Sequence, residues 1–170
     1  MTNTYIPTTY TRILSLDPTT EGLAYAILEK EPQRLVDWGV KNFRGTKSLS
    51  YDALGLATDL LDRYGPDVLV LEDYKDDWRR TRSTKDITKK IVAAARKRKI
   101  KVLRYSREEV QATFEGAGAI TKEEIAHALT TVFPELIPRL PRHREIWMNE
   151  DYRMNIFDAV ALALTAVHTN

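Results

Sequence analysis

Two short apolar runs that each end in a carboxylate constrain this chain most: Ile13-Leu14-Ser15-Leu16-Asp17-Pro18 and Val68-Leu69-Val70-Leu71-Glu72. Short, mostly apolar runs bounded by turn signals suit a strand buried on both faces. A carboxylate at the tip of such a strand is costly unless its charge is compensated. A turn carboxylate or helix cap explains either tip alone. Two tips from neighbouring strands point to a shared site.

The flanking segments supply the rest of a layered domain. Glu21 to Glu29 and Arg34 to Phe43 read as strands with short connections, so the first three strands form an antiparallel meander. Gly22 assists the first turn. Ser50 to Tyr64 has Leu54, Ala57, Leu60 and Leu61 at helical spacing, with Ser50 as its N-cap, and Gly65-Pro66 stops it. Thr84 to Lys99 is a basic helix with Ile87, Ile91, Ala94 and Ala95 inward, and Lys101 to Tyr105 is a fifth strand. Thr121 and Glu124 open a capping-box helix that ends at Phe133. Pro134 to Pro141 is a connection, and the final helix runs from Asp151 or Tyr152 to His168. The expected fold class is α/β, a five-stranded mixed sheet flanked by helices. Residues 1–170 are read as one domain, with 1–11 a flexible N-terminus.

The final helix brings further polar groups. Asp151, Asn155 and Asp158 are spaced by four and three residues and share one helical face. Asp158 opens the apolar stretch Ala159 to Val167, where a carboxylate is not fully exposed; its bland role is a helix-surface residue with a charge partner. Converging carboxylates suit Mg²⁺, a hard ion that takes oxygen ligands and substrate phosphate. Phosphodiester hydrolysis needs an activated water and a neutralised leaving oxygen, which such ions supply. His127, His143 and His168 lack zinc-ligand spacing, and the chain has no cysteine, so thiolate metal sites and cysteine nucleophiles are excluded. No phosphate-binding glycine loop is present.

Charge is distributed unevenly. The net charge is only +2, yet Lys75 to Arg107 holds 14 of the 26 Lys and Arg and only 3 of the 24 Asp and Glu. A basic block set against an acidic remainder fits a polyanion, although a solvated lysine-rich helix gives the same count. Arg79, Arg80, Arg82, Lys85, Lys89 and Lys90 are the expected phosphate contacts there. Tyr74 and Trp78 are either aromatic wedges against unpaired bases or local packing. Arg139, Arg142, His143 and Arg144 form a second basic patch, from which Arg142 and Arg144 are expected at the nucleic acid. The polar N-terminus lacks a signal-peptide layout and no apolar run reaches the roughly 20 residues a membrane helix needs. The expectation is a soluble cytoplasmic protein without a membrane partner.

At these residues the sequence resembles the RuvC family of Holliday-junction resolvases, within the RNase H-like superfamily. Ile13 to Pro18 followed by Gly22-Leu23-Ala24-Tyr25-Ala26 is similar to the family's first hairpin, and Val68 to Glu72 to its second acidic strand. Val110 to Ile125, with its glycine pair and Thr121-Lys122, resembles a third family segment. Asn155-Ile156-Phe157-Asp158-Ala159 resembles the final Asp-x-x-Asp-Ala helix. The ordered set covers Arg12 to Val167. It implies a homodimeric endonuclease that nicks four-way DNA junctions symmetrically with Mg²⁺ or Mn²⁺. Asp17, Glu72 and Asp158 are then metal ligands, and Lys122 approaches phosphate. The alignment favours Glu72 over the adjacent Asp73. Asn155 stands where the family has a second Asp, and Thr19 follows Pro18 where glycine is usual. An amide is a weaker, neutral ligand, so Asp151 is the candidate substitute. Two alternatives remain open at this stage: a junction-binding protein with a weakened nuclease centre, and an RNase H-like nuclease for RNA–DNA hybrid or branched DNA.

Overall fold

A computed structural model describes residues 11–74 and 80–169. Five strands form one mixed sheet in the order β3-β2-β1-β4-β5. β1 (Arg12–Pro18), β2 (Gly22–Glu29) and β3 (Arg34–Asn42) make the antiparallel meander. β4 (Val68–Glu72) and β5 (Lys101–Tyr105) add in parallel on the other side of β1. This is the five-stranded mixed sheet expected from the strand pattern.

The crossover helices α1 (Leu49–Tyr64) and α2 (Arg82–Lys97) cover one face. On the other lie α3 (Arg107–Phe114), α4 (Lys122–Val132) and α5 (Met154–Thr169). The strand period of two sorts β1 and β4 between the layers. Leu14, Leu16, Leu69 and Leu71 pack under α1 and α2, whereas Ile13 and Val70 join the α5 core. Ser15, Asp17 and Glu72 follow that second phase and face α5.

Some boundaries differ from the expectation. Ser48, not Ser50, caps α1, its side chain accepting from the Tyr51 amide. α2 begins two residues early because Thr81 caps it, and Val92 rather than Ala94 is fully buried. α3 was not anticipated, although Ser106 and Glu109 form a capping box that the sequence displays. α5 starts at Met154. Asp151 therefore lies ahead of the helix and does not share its face with Asn155 and Asp158.

α5 sits close to the sheet because its contact face is small. Ala159 and Ala163 are fully buried, and the buried Ser15 hydroxyl donates to the Ala159 carbonyl. That bond pins α5 to β1 one residue from Asp158 and two from Asp17. Phe157, almost fully buried, anchors the same end, with burial of such a side chain contributing about 1.5–3 kcal/mol.

Gly22 earns its place by proximity rather than by turn conformation. A Cβ there would lie 2.1 Å from the Lys41 carbonyl oxygen of β3. Gly22→Ala must displace backbone and is expected to destabilise by about 1–3 kcal/mol. Gly55, on the exposed side of α1 with nothing within 4 Å of an added Cβ, is the contrast: Gly55→Ala should stabilise by about 0.5–1 kcal/mol. Urea midpoints of the two variants should move in opposite directions.

Candidate active site

The carboxyl ends of β1 and β4 bring the two strand-tip carboxylates together. The parallel register runs Ser15 to Val70 and Leu16 to Leu71, and one step further sets Asp17 level with Glu72. Neighbouring strands lie about 4.8 Å apart. Asp158, in the second turn of α5, reaches the same spot from above, close enough for its charge to act on both.

The three carboxylates differ in exposure. Asp17 is 2% exposed, while the side chains of Glu72 and Asp158 keep 21% and 26%. Burial, then the charge of Asp158, pushes Asp17 from its ordinary 3.8 to about 7, against the pull of Arg80. Burial also raises Glu72 and Asp158. Tyr74 is buried beside them. Its hydroxyl lies 3.4 Å from Asp17 Oδ1, and burial followed by the Asp17 charge raises it well above the usual phenol range.

Two cations compensate this charge. Arg80 Nη2 donates to Glu72 Oε2 at 2.8 Å and stands 3.9 Å from Asp17 Oδ1. Its guanidinium stacks on the Tyr74 ring at 4.5 Å. Lys122 Nζ donates to Asp158 Oδ2 at 2.8 Å and to Glu150 Oε1 at 3.0 Å. Burial opposes the Lys122 charge, but Asp158 and Glu150 together hold its pKa above the ordinary value. The capping box of Thr121 and Glu124 fixes the start of α4 and so aims Lys122 at the cluster.

The donor chemistry fits a hard divalent ion: three carboxylates, one of them buried, all oxygen donors. Among the described residues, however, no three acidic or histidine side chains converge into a ready ligand set. Glu72 and Asp158 are instead turned to Arg80 and Lys122.

Other expected site residues fall into distinct places. Asn155 is half-buried in the first turn of α5, on the side of Asp158. Asp151 is held by the Arg153 guanidinium and amide, and the guanidinium lowers its pKa. Its expected role beside Asn155 is corrected accordingly. Tyr74, left open between an aromatic wedge and local packing, packs: it is 5% exposed and Arg80 stacks on its ring, which corrects its expected place at the nucleic acid. Arg82, Lys85, Lys89 and Lys90 line α2 away from the site end over about 12 Å, and Lys90 also donates to Ser50. Arg142 and Arg144 are exposed in the connection before α5. Trp78 and Arg79 lie outside the described residues. Glu150 had no sequence signal, since its role depends on a fold that returns it to Lys122.

RuvC of Thermus thermophilus in complex with a Holliday junction substrate is similar at a TM-score of 0.69 and 17% identity, over 94% of this chain and 94% of that one. A second Thermus thermophilus RuvC structure matches at a TM-score of 0.65 and 18% identity, over 92% and 94% of the two chains. The chain thus has the RNase H-like fold, in the arrangement seen in RuvC. No protein-family model matches it, and no curated protein sequence is significantly similar.

The raised Asp17 pKa has a direct consequence for the metal-free protein. Between about pH 4 and 7 the folded state keeps a proton on Asp17 that the unfolded chain has lost. Stability from this group therefore falls as pH rises through that window and stays low above it. Asp17→Asn removes the penalty. In EDTA the variant should melt at the wild-type temperature near pH 4 and above it at pH 8. At about 1.4 kcal/mol per pKa unit, the gap is on the order of a few kcal/mol. Thermal melts from pH 4 to 8.5 check this, with Glu72 and Asp158 leaving a smaller residual slope in the variant.

Proposed function

We propose that this chain is a divalent-metal-dependent endonuclease acting on branched DNA, with four-way junctions as its substrate and a homodimer as its working form. The observation that carries the reading is the placing of Asp17 and Glu72 at the carboxyl ends of neighbouring strands, with Asp158 on α5 near enough for its charge to act on both. Further support comes from the Holliday junction bound by the structurally similar Thermus thermophilus protein and from basic residues around that end of the molecule.

Asp17, Glu72 and Asp158 would hold Mg²⁺ or Mn²⁺. Such an ion supplies charge neutralisation at the scissile phosphate and a bound water of lowered pKa. The protein's own part is positional and electrostatic. Burial of Asp17 keeps its carboxylate poor in competing water. Lys122, already steered by α4, exchanges a carboxylate for a phosphate oxygen as substrate enters, and Arg80 does the same from the β4 side. Arg82 and Lys85 at the near end of α2 extend the positive surface along the strand backbone.

Cleavage of a labelled synthetic four-way junction, beside linear duplex and RNA–DNA hybrid, tests the assignment. Wild type should give paired symmetric nicks with Mg²⁺ or Mn²⁺, and Asp17→Asn none. Lys122→Ala should lose about 10²-fold in rate, as expected for one lost transition-state donor. Preferential hybrid cleavage would reassign the substrate, and tight junction binding without nicking would remove the enzymatic claim.

The neutral Asn155 bears on the second reading, a junction-binding protein with a weakened centre. It leaves one ligand position without charge, and Asp151 is engaged by Arg153. Asn155→Asp should tighten divalent binding and raise nicking at limiting metal. Titration of Mg²⁺ against nicking rate for both proteins measures the shift; no change would exclude residue 155 from the metal site.

A further inference from the structure

The connection between α4 and α5 carries an apolar tip that neither the core nor the acidic site uses. Ile146, Trp147 and Met148 are 96%, 81% and 50% exposed. They belong to a tight turn in which the Met148 amide donates to the Glu145 carbonyl at 3.0 Å. Ile146 and Trp147 are its two central residues. Such positions normally hold Gly, Pro, Asn, Asp or Ser. Two large apolar residues there lose solvation energy with no burial to offset it.

The tip is not a loose loop. Arg144 Nη1 donates to the Met148 carbonyl at 3.2 Å and braces the turn. On one side, His143 Nδ1 meets Glu123 Oε1 at 2.8 Å. On the other, Glu150 Oε1 meets Lys122 Nζ at 3.0 Å. Both anchors are in the first turn of α4, and Lys122 is the residue that also holds Asp158. Trp147 is three residues from Glu150, so its Cα lies within about 11 Å of that anchor.

We propose that Trp147 is a stacking platform for an unpaired nucleobase at the branch of the DNA whose backbone enters the acidic site. The inference rests on the nucleic-acid reading above and adds a recognition element to it. Charge favours this occupant over a protein surface. Arg142 and Arg144 precede the tip and suit a phosphate backbone. On its other side Glu150 shares Lys122 with Asp158 and Asp151 is held by Arg153, and Glu145 belongs to the turn itself. One indole face matches one base. Tyr74, which occupies the more obvious place after β4, is buried under Arg80 and cannot take this part.

The test compares wild type, Trp147→Ala and Trp147→Phe binding to a four-way junction that carries 2-aminopurine beside the branch point, in EDTA so that nothing is cleaved. Linear duplex of the same sequence is the reference. Trp147→Ala should weaken junction binding about 5- to 100-fold and lose the change in 2-aminopurine emission. Trp147→Phe should recover most of both, and duplex binding should stay within twofold. Circular dichroism confirms that each variant folds, as expected for an exposed side chain. If Trp147→Ala binds the junction as wild type does, the platform is overturned while the junction reading stands. If wild type itself fails to prefer the junction over duplex, the junction reading falls first, and the platform with it. If sedimentation shows that Trp147→Ala dissociates a dimer whose junction affinity per assembled dimer is unchanged, the tip belongs to a second copy of the chain and the proposal is wrong.

Discussion

The buried Asp17 carboxylate sets the terms for everything around it. It sits 2% exposed at the end of a strand, level with Glu72 and beneath Asp158. In a low-dielectric setting three such groups cannot all remain charged without compensation. The chain meets that demand with Arg80 from the β4 side and Lys122 from α4. A site assembled at this cost has to be held by parts that do not give. The Ser15 bond to Ala159 and the small alanine face of α5 provide that rigidity directly behind the carboxylates.

Compensation by side chains and compensation by a bound cation use the same oxygens. Glu72 and Asp158 face Arg80 and Lys122, and no three acids form a closed ligand set among the described residues. Any ion entering this site therefore displaces at least one ion pair. Arg80 is held by its guanidinium on the Tyr74 ring and Lys122 by its place at the start of α4. On the proposed reading, both cations would stay beside the carboxylates and meet a phosphate backbone there, so the charge balance would link metal entry to substrate entry.

Much of this was legible in the sequence because it followed from periodicity. Alternation in Ile13 to Asp17 and Val68 to Glu72 specifies which residues share a face, and the parallel pairing of β1 and β4 then aligns the tips. The pair Thr121 and Glu124 spells a capping box in the sequence and forms one at the start of α4. What escaped reading depended on long-range return of the chain. Glu150 meets Lys122 only after a 28-residue excursion, and no local pattern announces it. For Tyr74 the polar neighbours leave a wedge and local packing both open; Arg80 stacks on it and Asp17 draws its hydroxyl inward. Asp151 fitted the helical spacing, but Arg153 captures it before the helix begins.

The same contrast separates the two aromatic features near the site. Tyr74 is adjacent in sequence to the β4 acids and is consumed by packing. Trp147 is remote in sequence from Asp17 and Glu72, yet it is tied to Asp158 through Glu150 and Lys122. A residue that supports the acidic cluster must be buried to do so, since its hydroxyl or stem has to reach a desolvated carboxylate. A residue that reads a substrate must stay exposed, at the expense of local turn preference. Tyr74 takes the first part, and the proposed platform at Trp147 would take the second. The anchors at Glu123 and Lys122 let the exposed one keep a fixed distance from the carboxylates without being part of their packing.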